Sequence, residues 1–597
     1  MRPVSKDDIQ YQANKKQKSA RGCEGAEMYI FYDTETSGLE KDFTQILQIA
    51  LVFTDDNLNI LSSKKIDCRR SPWVVPSPGA LLTTGFTPDD LKNSKNSNFE
   101  MMQEIDQWVR SQYWPVIFAG YNSIEYDEPV LAQNFHMNLL DPGLTTAKSP
   151  SNGQRNSCFD VMTAVQAVQA YMPGALKLDI LNEAKDPQPS VKLSLVAQQN
   201  GVVLSKEDAH DAMNDIKATV GVAKVVKKVA PQVWDHLHTI ATQEGVEDFI
   251  SKNKVFTHTT YSFGKKKPIV ATSVGAREGS GITEILFDLS VDPTPYLTMT
   301  VDQLKDVLLA QEKKPAKGAP APVQVFRLVR KNGMPIMMPM DMSDPVLPKG
   351  FDDKVAEARA DAIKANPQFR KNMAEAAKLA KETRVSRPKT HTEQPEEQIY
   401  DEVPATVKPK LDQWMKEFRE SSSWKDAAAL VNDFYKRFEQ ELEDEPSIRR
   451  FVKFAGRIVF EHAPEELSEQ KQEQMKSYIA AHILTADTDV PWMTIPKARK
   501  ELEKIEQERQ DGKARWDEVT DTQMRSLKLY YTALEKEYLP YLKPASNDNK
   551  HTPASFDHML PPPETPKALE PHVEPKSIDP APPGPDPKKA TNDGFRP

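Results

Sequence analysis

Cysteine is scarce in this 597-residue chain: Cys23, Cys68 and Cys158 are the full set. An odd number at such wide spacing excludes a disulfide framework and offers no zinc-ligand pattern, so a reducing compartment is expected. No stretch approaches the roughly 18 uninterrupted apolar residues of a membrane span. The opening MRPVSKDDIQYQANKKQKSARG lacks the apolar core of a secretory leader. Together these absences predict a cytoplasmic protein with no membrane partner. No internal repeat at a fixed period is evident. A net positive charge is also lacking, since 78 Lys and Arg face 87 Asp and Glu for a balance of −9, which argues against a nucleic-acid partner. That total averages unlike segments. Between Gly221 and Thr390 there are 27 Lys and Arg against 19 Asp and Glu, including GKKKP (264–268) and RLVRKNG (327–333). On charge alone this basic middle is equally a solvated surface or a polyanion-binding one.

What is plentiful is proline, 47 residues concentrated in particular places, which marks tails and linkers. A length of 597 residues predicts several domains, at about 150 residues each. Residues 1–26 are polar and unpatterned and are read as a disordered arm. From 27 to 230 strand-like runs (MYIFY, ILQIALVF, LNILSSKKI, PVIFAGYN) alternate with helical ones, which predicts a mixed α/β layer fold. The first three runs read as consecutive antiparallel strands, and a helix is expected from about Pro129. Residues 204–229 read as one amphipathic helix, with Ser205 and Asp208 as a capping box. Short strands separated by Gly, Pro and charged turns then predict a small β-rich domain over 231–385 that ends in helical sequence. A linker (386–404), a nearly all-helical domain (405–545) and a Pro-rich tail read as a disordered spacer (546–597) complete the chain.

The stretch MYIFYDTETSGL (28–39) places Asp33 and Glu35 just past a buried strand. Among 87 acidic residues an isolated Asp-x-Glu pair is weak evidence, but residues two apart on a strand face the same way and can share a cation. Two further acids stand in comparable settings, Asp127 after the 115–120 strand and Asp215 within the 204–229 helix. Oxygen-only ligation suits Mg²⁺ or Mn²⁺ rather than zinc. Four clustered carboxylates fit two such ions about 4 Å apart, an arrangement suited to in-line displacement at phosphorus. The nucleophilic water needs a base, and His210 lies five residues before Asp215. Five residues are about 140° of helical rotation, which puts His210 near the helix start and Asp215 on its body. For His210 alone, a solvated surface histidine is the commoner reading.

The ordered motifs DTE (33–35), NSIEYD (122–127) and HDAMND (210–215) resemble those of the DEDDh 3′→5′ exonucleases of the RNase H-like, DnaQ-like superfamily. The resemblance implies that Asp33, Glu35, Asp127 and Asp215 bind two Mg²⁺ ions, with Mn²⁺ as a possible substitute, and that His210 is the general base. Asp211 competes with Asp215, but the His-x₄-Asp spacing selects the latter. Further text, PSPGALLTTGFTP (76–88), GYNSIEYDEPVLAQNF (120–135) and AHDAMNDIKATVGVAKVV (209–226), is similar to the bacterial exodeoxyribonuclease I family over about 27–545. What this implies is an RNase H-like nuclease domain, an SH3-like β domain and a helical domain that together clamp single-stranded DNA. Implied with it are release of 5′-mononucleotides in DNA repair or recombination, and a partnership with single-stranded DNA-binding protein; a monomer is expected, though the sequence leaves the oligomeric state open. The implied substrate contacts are Glu35, Thr36, Thr84, Gly85, Phe86, Asn122 and Lys192.

Two departures stand out. Ser37 takes the place of an aromatic, so DTETSG looks more like a proofreading or RNase T-like exonuclease, and Lys192 replaces an arginine, keeping charge but losing bidentate phosphate geometry. A 3′→5′ exoribonuclease or proofreading nuclease is therefore the rival enzyme. A non-catalytic single-strand-binding adaptor is the rival from another class.

Overall fold

The computed structural model describes residues 27–112, 114–149, 153–182, 187–203, 212–313, 322–385 and 393–542. The Ser205–Asp208 capping box, Asp211 and both tails lie outside them.

The first sheet is built from β1 (Tyr29–Thr36), β2 (Ile46–Thr54), β3 (Ile60–Asp67), β4 (Ile117–Gly120) and β5 (Ser157–Asp160) in the order β3-β2-β1-β4-β5. As the alternating runs predict, β1, β2 and β3 are antiparallel neighbours, while β4 and β5 run parallel to β1. All nine residues of β2 are buried, the mark of a central strand covered on both faces. The covering comes from α1 (Pro78–Thr84), α2 (Asn98–Arg110), α3 (Asp127–Met137), α4 (Val161–Tyr171), α5 (Leu193–Gln199), α6 (Ala212–Val229) and α7 (Pro231–Thr239). Of these, α6 packs directly on β1 and β2. Start signals are explicit: Ser97 and Glu100 form a reciprocal capping box at α2, and Ser77 caps α1 with Pro78 at its first position. Trp234 and Leu237 of α7 are buried in the same core as the sheet, so packing continues without a gap past residue 230.

The second sheet is wholly antiparallel and runs β10-β6-β7-β8-β9, from β6 (Phe256–Ser262), β7 (Lys265–Ala276), β8 (Thr283–Asp288), β9 (Phe326–Arg330) and β10 (Ile336–Pro339). The strand-rich reading misses one helix inside it, α8 (Val301–Gln311). Thr300 and Gln303 cap α8, and Leu304 and Leu308 are buried in a core with Phe287, Phe369 and Met373. Two more helices, α9 (Asp353–Lys364) and α10 (Pro367–Val385), follow.

Beyond residue 405 the helical expectation holds, with α11 (Lys408–Arg419), α12 (Trp424–Arg437), α13 (Arg449–His462), α14 (Glu469–Leu484), α15 (Ile495–Gln510) and α16 (Asp521–Tyr538). These helices are keyed to the first sheet's surroundings. Ser77 Oγ donates to Glu501 at 2.9 Å, Tyr531 OH donates to the Pro76 carbonyl at 2.8 Å, and His462 Nε2 lies 2.8 Å from Ser97 Oγ. The segment read as a linker is structured from its tenth residue onward: Pro395–Gln398 forms a short 3₁₀ turn whose buried Glu396 pairs with buried Arg457 of α13. No helix of the described residues is long and apolar enough to cross a membrane.

Candidate active site

Asp33 and Glu35 lie inside β1 rather than after it, because the strand runs on through Thr36. Period-two alternation explains their exposure: Asp33 and Glu35 are half-buried, while Thr34 and Thr36 between and beyond them are buried. One edge of β1 pairs with β2 along its whole length, Asp33 facing Ala50 and Glu35 facing Gln48. The other edge pairs with β4 only as far as Phe31 and Ala119, which leaves the following backbone donors without a strand partner. Asp127, the first residue of α3, fills that gap. Its Oδ1 accepts from the Thr34 N–H at 3.2 Å and the Thr34 hydroxyl at 2.5 Å. A carboxylate at a helix N-terminus is favoured by the helix dipole as well.

The third element is α6. Gln48 Oε1 accepts from the Ala212 N–H at 3.2 Å, while Gln48 Nε2 donates to Asp67 at 2.6 Å. This glutamine sits opposite Glu35 and seats the first turn of α6 on β2, so that Asp215 faces the two strand carboxylates. The result is a cluster in which one ligand oxygen from each of Asp33, Glu35 and Asp215 lies within 4.8 Å of the others.

Electrostatics make the cluster costly without a counter-charge. Burial holds the Asp33 carboxyl well above the usual carboxylate range, and Asp127, Glu35 and Asp215 push it further the same way. Burial also pushes Asp127 up to about 6, against the pull of its Thr34 hydrogen bonds. Among the described residues, no donor hydrogen-bonds to the Asp33 carboxylate. Oxygen ligands crowded together in this way fit a hard divalent cation such as Mg²⁺ or Mn²⁺.

The loop into α3 is tightly held. Asn122 has φ 64°, and its N–H and that of Ile124 both donate to the Asp160 carboxylate, at 3.2 and 3.3 Å. Asp160 also caps α4 through the Thr163 N–H at 3.0 Å. The sequence reading misses this positioning residue, although an Asp between a strand and a helix in CFDV is an N-cap signal. It also misses Tyr126, whose hydroxyl reaches Thr36 Oγ1 at 2.7 Å and donates to the Gly38 carbonyl. That contact fixes the backbone leaving β1.

Of the expected substrate contacts, Glu35 is in the cluster and Asn122 is in the loop before Asp127. Thr36 is buried, with its hydroxyl bound to Tyr126 and the Gly38 carbonyl. Thr84 and Gly85 end α1, Gly85 taking φ 77° as its C-cap. Phe86 packs against the core of the helical region. Lys192 is exposed at the N-cap of α5. Among the described residues no hydrogen bond or ion pair is seen between Thr84, Gly85, Phe86 or Lys192 and Asp33 or Asp127, and His210 lies outside the described residues.

Residues 30–223 match the family model described as Exonuclease. Among curated proteins, exodeoxyribonuclease I of Escherichia coli (strain K12) is 27% identical over 315 residues, 52% of this chain and 63% of its own length. The exodeoxyribonuclease I of Buchnera aphidicola subsp. Acyrthosiphon pisum is 31% identical over 215 residues, 36% of this chain and 49% of its own length. The matched region thus spans less than two thirds of these relatives. The structure of exonuclease I from Methylocaldum szegediense superposes with TM-score 0.66 at 20% identity, covering 85% of this chain and 100% of that one. E. coli exonuclease I in complex with a dT13 oligonucleotide gives 0.65 at 19%, covering 85% and 99%, and an ExoI/SSB-Ct complex gives 0.63 at 18%, covering 87% and 100%. At these identities the likeness is one of fold, and it extends over the α/β, β-rich and helical parts alike.

Proposed function

We propose that the protein, whose residues 30–223 match the Exonuclease family model, is a divalent-cation-dependent 3′→5′ exonuclease that degrades single-stranded DNA to 5′-mononucleotides. The observation that carries this reading is the convergence of Asp33, Glu35 and Asp215 within 4.8 Å, with Asp127 bound to the Thr34 that lies between the first two. These four side chains would hold two Mg²⁺ ions, with Mn²⁺ as a substitute. Such cations supply charge neutralisation and Lewis acidity for in-line hydrolysis of a phosphodiester. His210 accepts the proton of the attacking water at an imidazole nitrogen, the ordinary role of a histidine near neutral pH. Thr36 and Tyr126 brace the backbone beside Glu35, where the 3′-terminal nucleotide is held. Asn122, Lys192 and the Thr84–Phe86 turn are assigned to substrate on resemblance. The basic stretch 221–390 supplies sequence-independent grip on a single strand. A role in DNA repair or recombination, and an association with single-stranded DNA-binding protein like that named for the ExoI/SSB-Ct complex, belong to the same proposal.

A 3′→5′ exoribonuclease is the second reading, favoured by Ser37. This side chain is buried, its hydroxyl accepting from the Gln45 N–H at 3.0 Å, so the position offers no ring for stacking on a terminal base. Matched 5′-labelled single-stranded DNA, single-stranded RNA and duplex DNA, incubated with Mg²⁺, separate the two. Preferential shortening of single-stranded DNA from its 3′ end supports the proposal, and preferential shortening of RNA transfers the assignment to the exoribonuclease.

A further inference from the structure

The hairpin joining β6 to β7 turns through two residues, Phe263 and Gly264, with Ser262 paired to Lys265. Both turn residues have positive φ, 50° and 77°, the signature of a type I′ turn, whose first position favours Asn, Asp or Gly. A phenylalanine there is strained because its Cβ crowds the neighbouring carbonyl oxygen. Its ring is also 91% exposed, so burial gives nothing back. Neither turn chemistry nor packing accounts for Phe263, and backbone strain of this kind concentrates at ligand-binding positions.

The tip's surroundings point to the ligand. Lys265, Lys266 and Lys267 follow directly and are exposed, and Arg327 braces the same strand by donating to the Lys267 carbonyl at 2.9 Å. The hairpin is seated on the nuclease domain. Asn182 donates to the Phe263 carbonyl at 3.4 Å, Tyr261 OH donates to the Gln166 carbonyl of α4 at 2.7 Å, and a Cβ on Gly264 would come within 2.5 Å of the Asn182 amide. Gly264 is thus favoured by its φ, and a larger residue there would displace the Asn182 side chain. Further along the chain from Asn182 stands Lys192, at the head of α5, which packs on α6, the helix of Asp215. A solvent-facing ring on a seated turn, beside a run of lysines and on a support shared with the carboxylate site, matches the chemistry of single-strand recognition: a π-face for a base and cations for the adjoining phosphates.

We propose that Phe263 is a stacking platform for a base of the single strand upstream of its cleaved 3′ end, with Lys265–Lys267 neutralising the neighbouring phosphates. The inference rests on the reading of the protein as a nuclease acting on single strands. It is tested on the full chain with oligo-dT of about 16 nucleotides, the upper range for such sites, carrying 2-aminopurine at successive positions. EDTA prevents hydrolysis during binding. One position should show quenched fluorescence in the wild type. Phe263→Asn suits the turn better and should melt no earlier than wild type, yet lose that quenching and bind about tenfold more weakly. Phe263→Trp should restore both. A purely structural role predicts the opposite for Phe263→Asn, which would then bind at least as well as wild type. If Phe263→Asn binds like wild type, or no position is quenched, while the wild type trims single strands in Mg²⁺, the platform alone is overturned. A wild type that neither binds nor trims single strands overturns the nuclease reading and the platform with it.

Discussion

Asp33 is crowded by the other acids of the carboxylate cluster. Its carboxyl is held high by burial and by three neighbouring acids, so in the absence of a cation its ionised form opposes folding. Asp33→Asn should therefore raise the melting temperature of the metal-free protein by a few degrees while abolishing nuclease activity. Added Mg²⁺ should raise the melting temperature of the wild type far more than that of the variant, because a ligand stabilises whatever state binds it. Differential scanning fluorimetry with and without Mg²⁺ reads both effects. At this scale the sequence was informative where spacing fixes direction: Asp33 and Glu35 share a strand face, and the period of two carries that without tertiary information. It was uninformative for Thr34 and Tyr126, whose roles come from partners 93 and 90 residues away in the chain.

Between β1 and the helices that bring Asp127 and Asp215, two polar residues act as joints. Gln48 links Asp67, β2 and the first turn of α6. Gln48→Leu keeps the volume and removes both hydrogen bonds, and is expected to cost about 10–100-fold in activity at limiting Mg²⁺, the usual range for residues that orient ligands. Raising Mg²⁺ should recover part of the loss, which a titration of activity against Mg²⁺ measures. Asp160 holds the Asn122–Ile124 turn and caps α4 at once. Asp160→Ala should cost about 1–2 kcal/mol in chemical denaturation, as for a lost N-cap, with activity falling because Asp127 loses its support. Elements themselves were legible where periodicity was clean, as in β1 to β3 and the helices after 405. The helix α8 was not, because the surrounding strand-like runs and turn residues outweighed its short amphipathic face.

Across the whole molecule, the helical region is tied to the α/β core by buried polar contacts that no sequence pattern announces. The Arg457–Glu396 pair joins α13 to a segment that reads as linker, and both side chains are almost fully buried. Glu396→Leu leaves a buried guanidinium without that carboxylate and should destabilise by about 3–5 kcal/mol, while Glu396→Leu with Arg457→Met should recover most of it. Urea denaturation of the single and double variants is the check. Acid should act through buried histidines: burial, reinforced by nearby arginines, holds His136, His258 and His482 down to about 3. Between pH 6.5 and 3 the unfolded chain takes up protons there that the folded chain refuses, so stability contributed by these groups is present above that window and falls as pH drops, by up to about 1.4 kcal/mol per unit for each. His482→Phe keeps a ring on Trp492, whose ring centre lies 4.4 Å from that of His482, and removes the titrating group. Its melting temperature should consequently decline less from pH 7 to pH 5 than that of the wild type.

The measurement that bears most directly on the central claim is a gel time course of 5′-labelled single-stranded DNA with wild type and Asp33→Ala, each with Mg²⁺ or EDTA. A ladder shortening from the 3′ end, present only for wild type with Mg²⁺, is the predicted result. Equal shortening by Asp33→Ala, or shortening that persists in EDTA, would contradict the assignment of these carboxylates. Tight DNA binding with no cleavage under any condition would leave a binding protein in place of the nuclease.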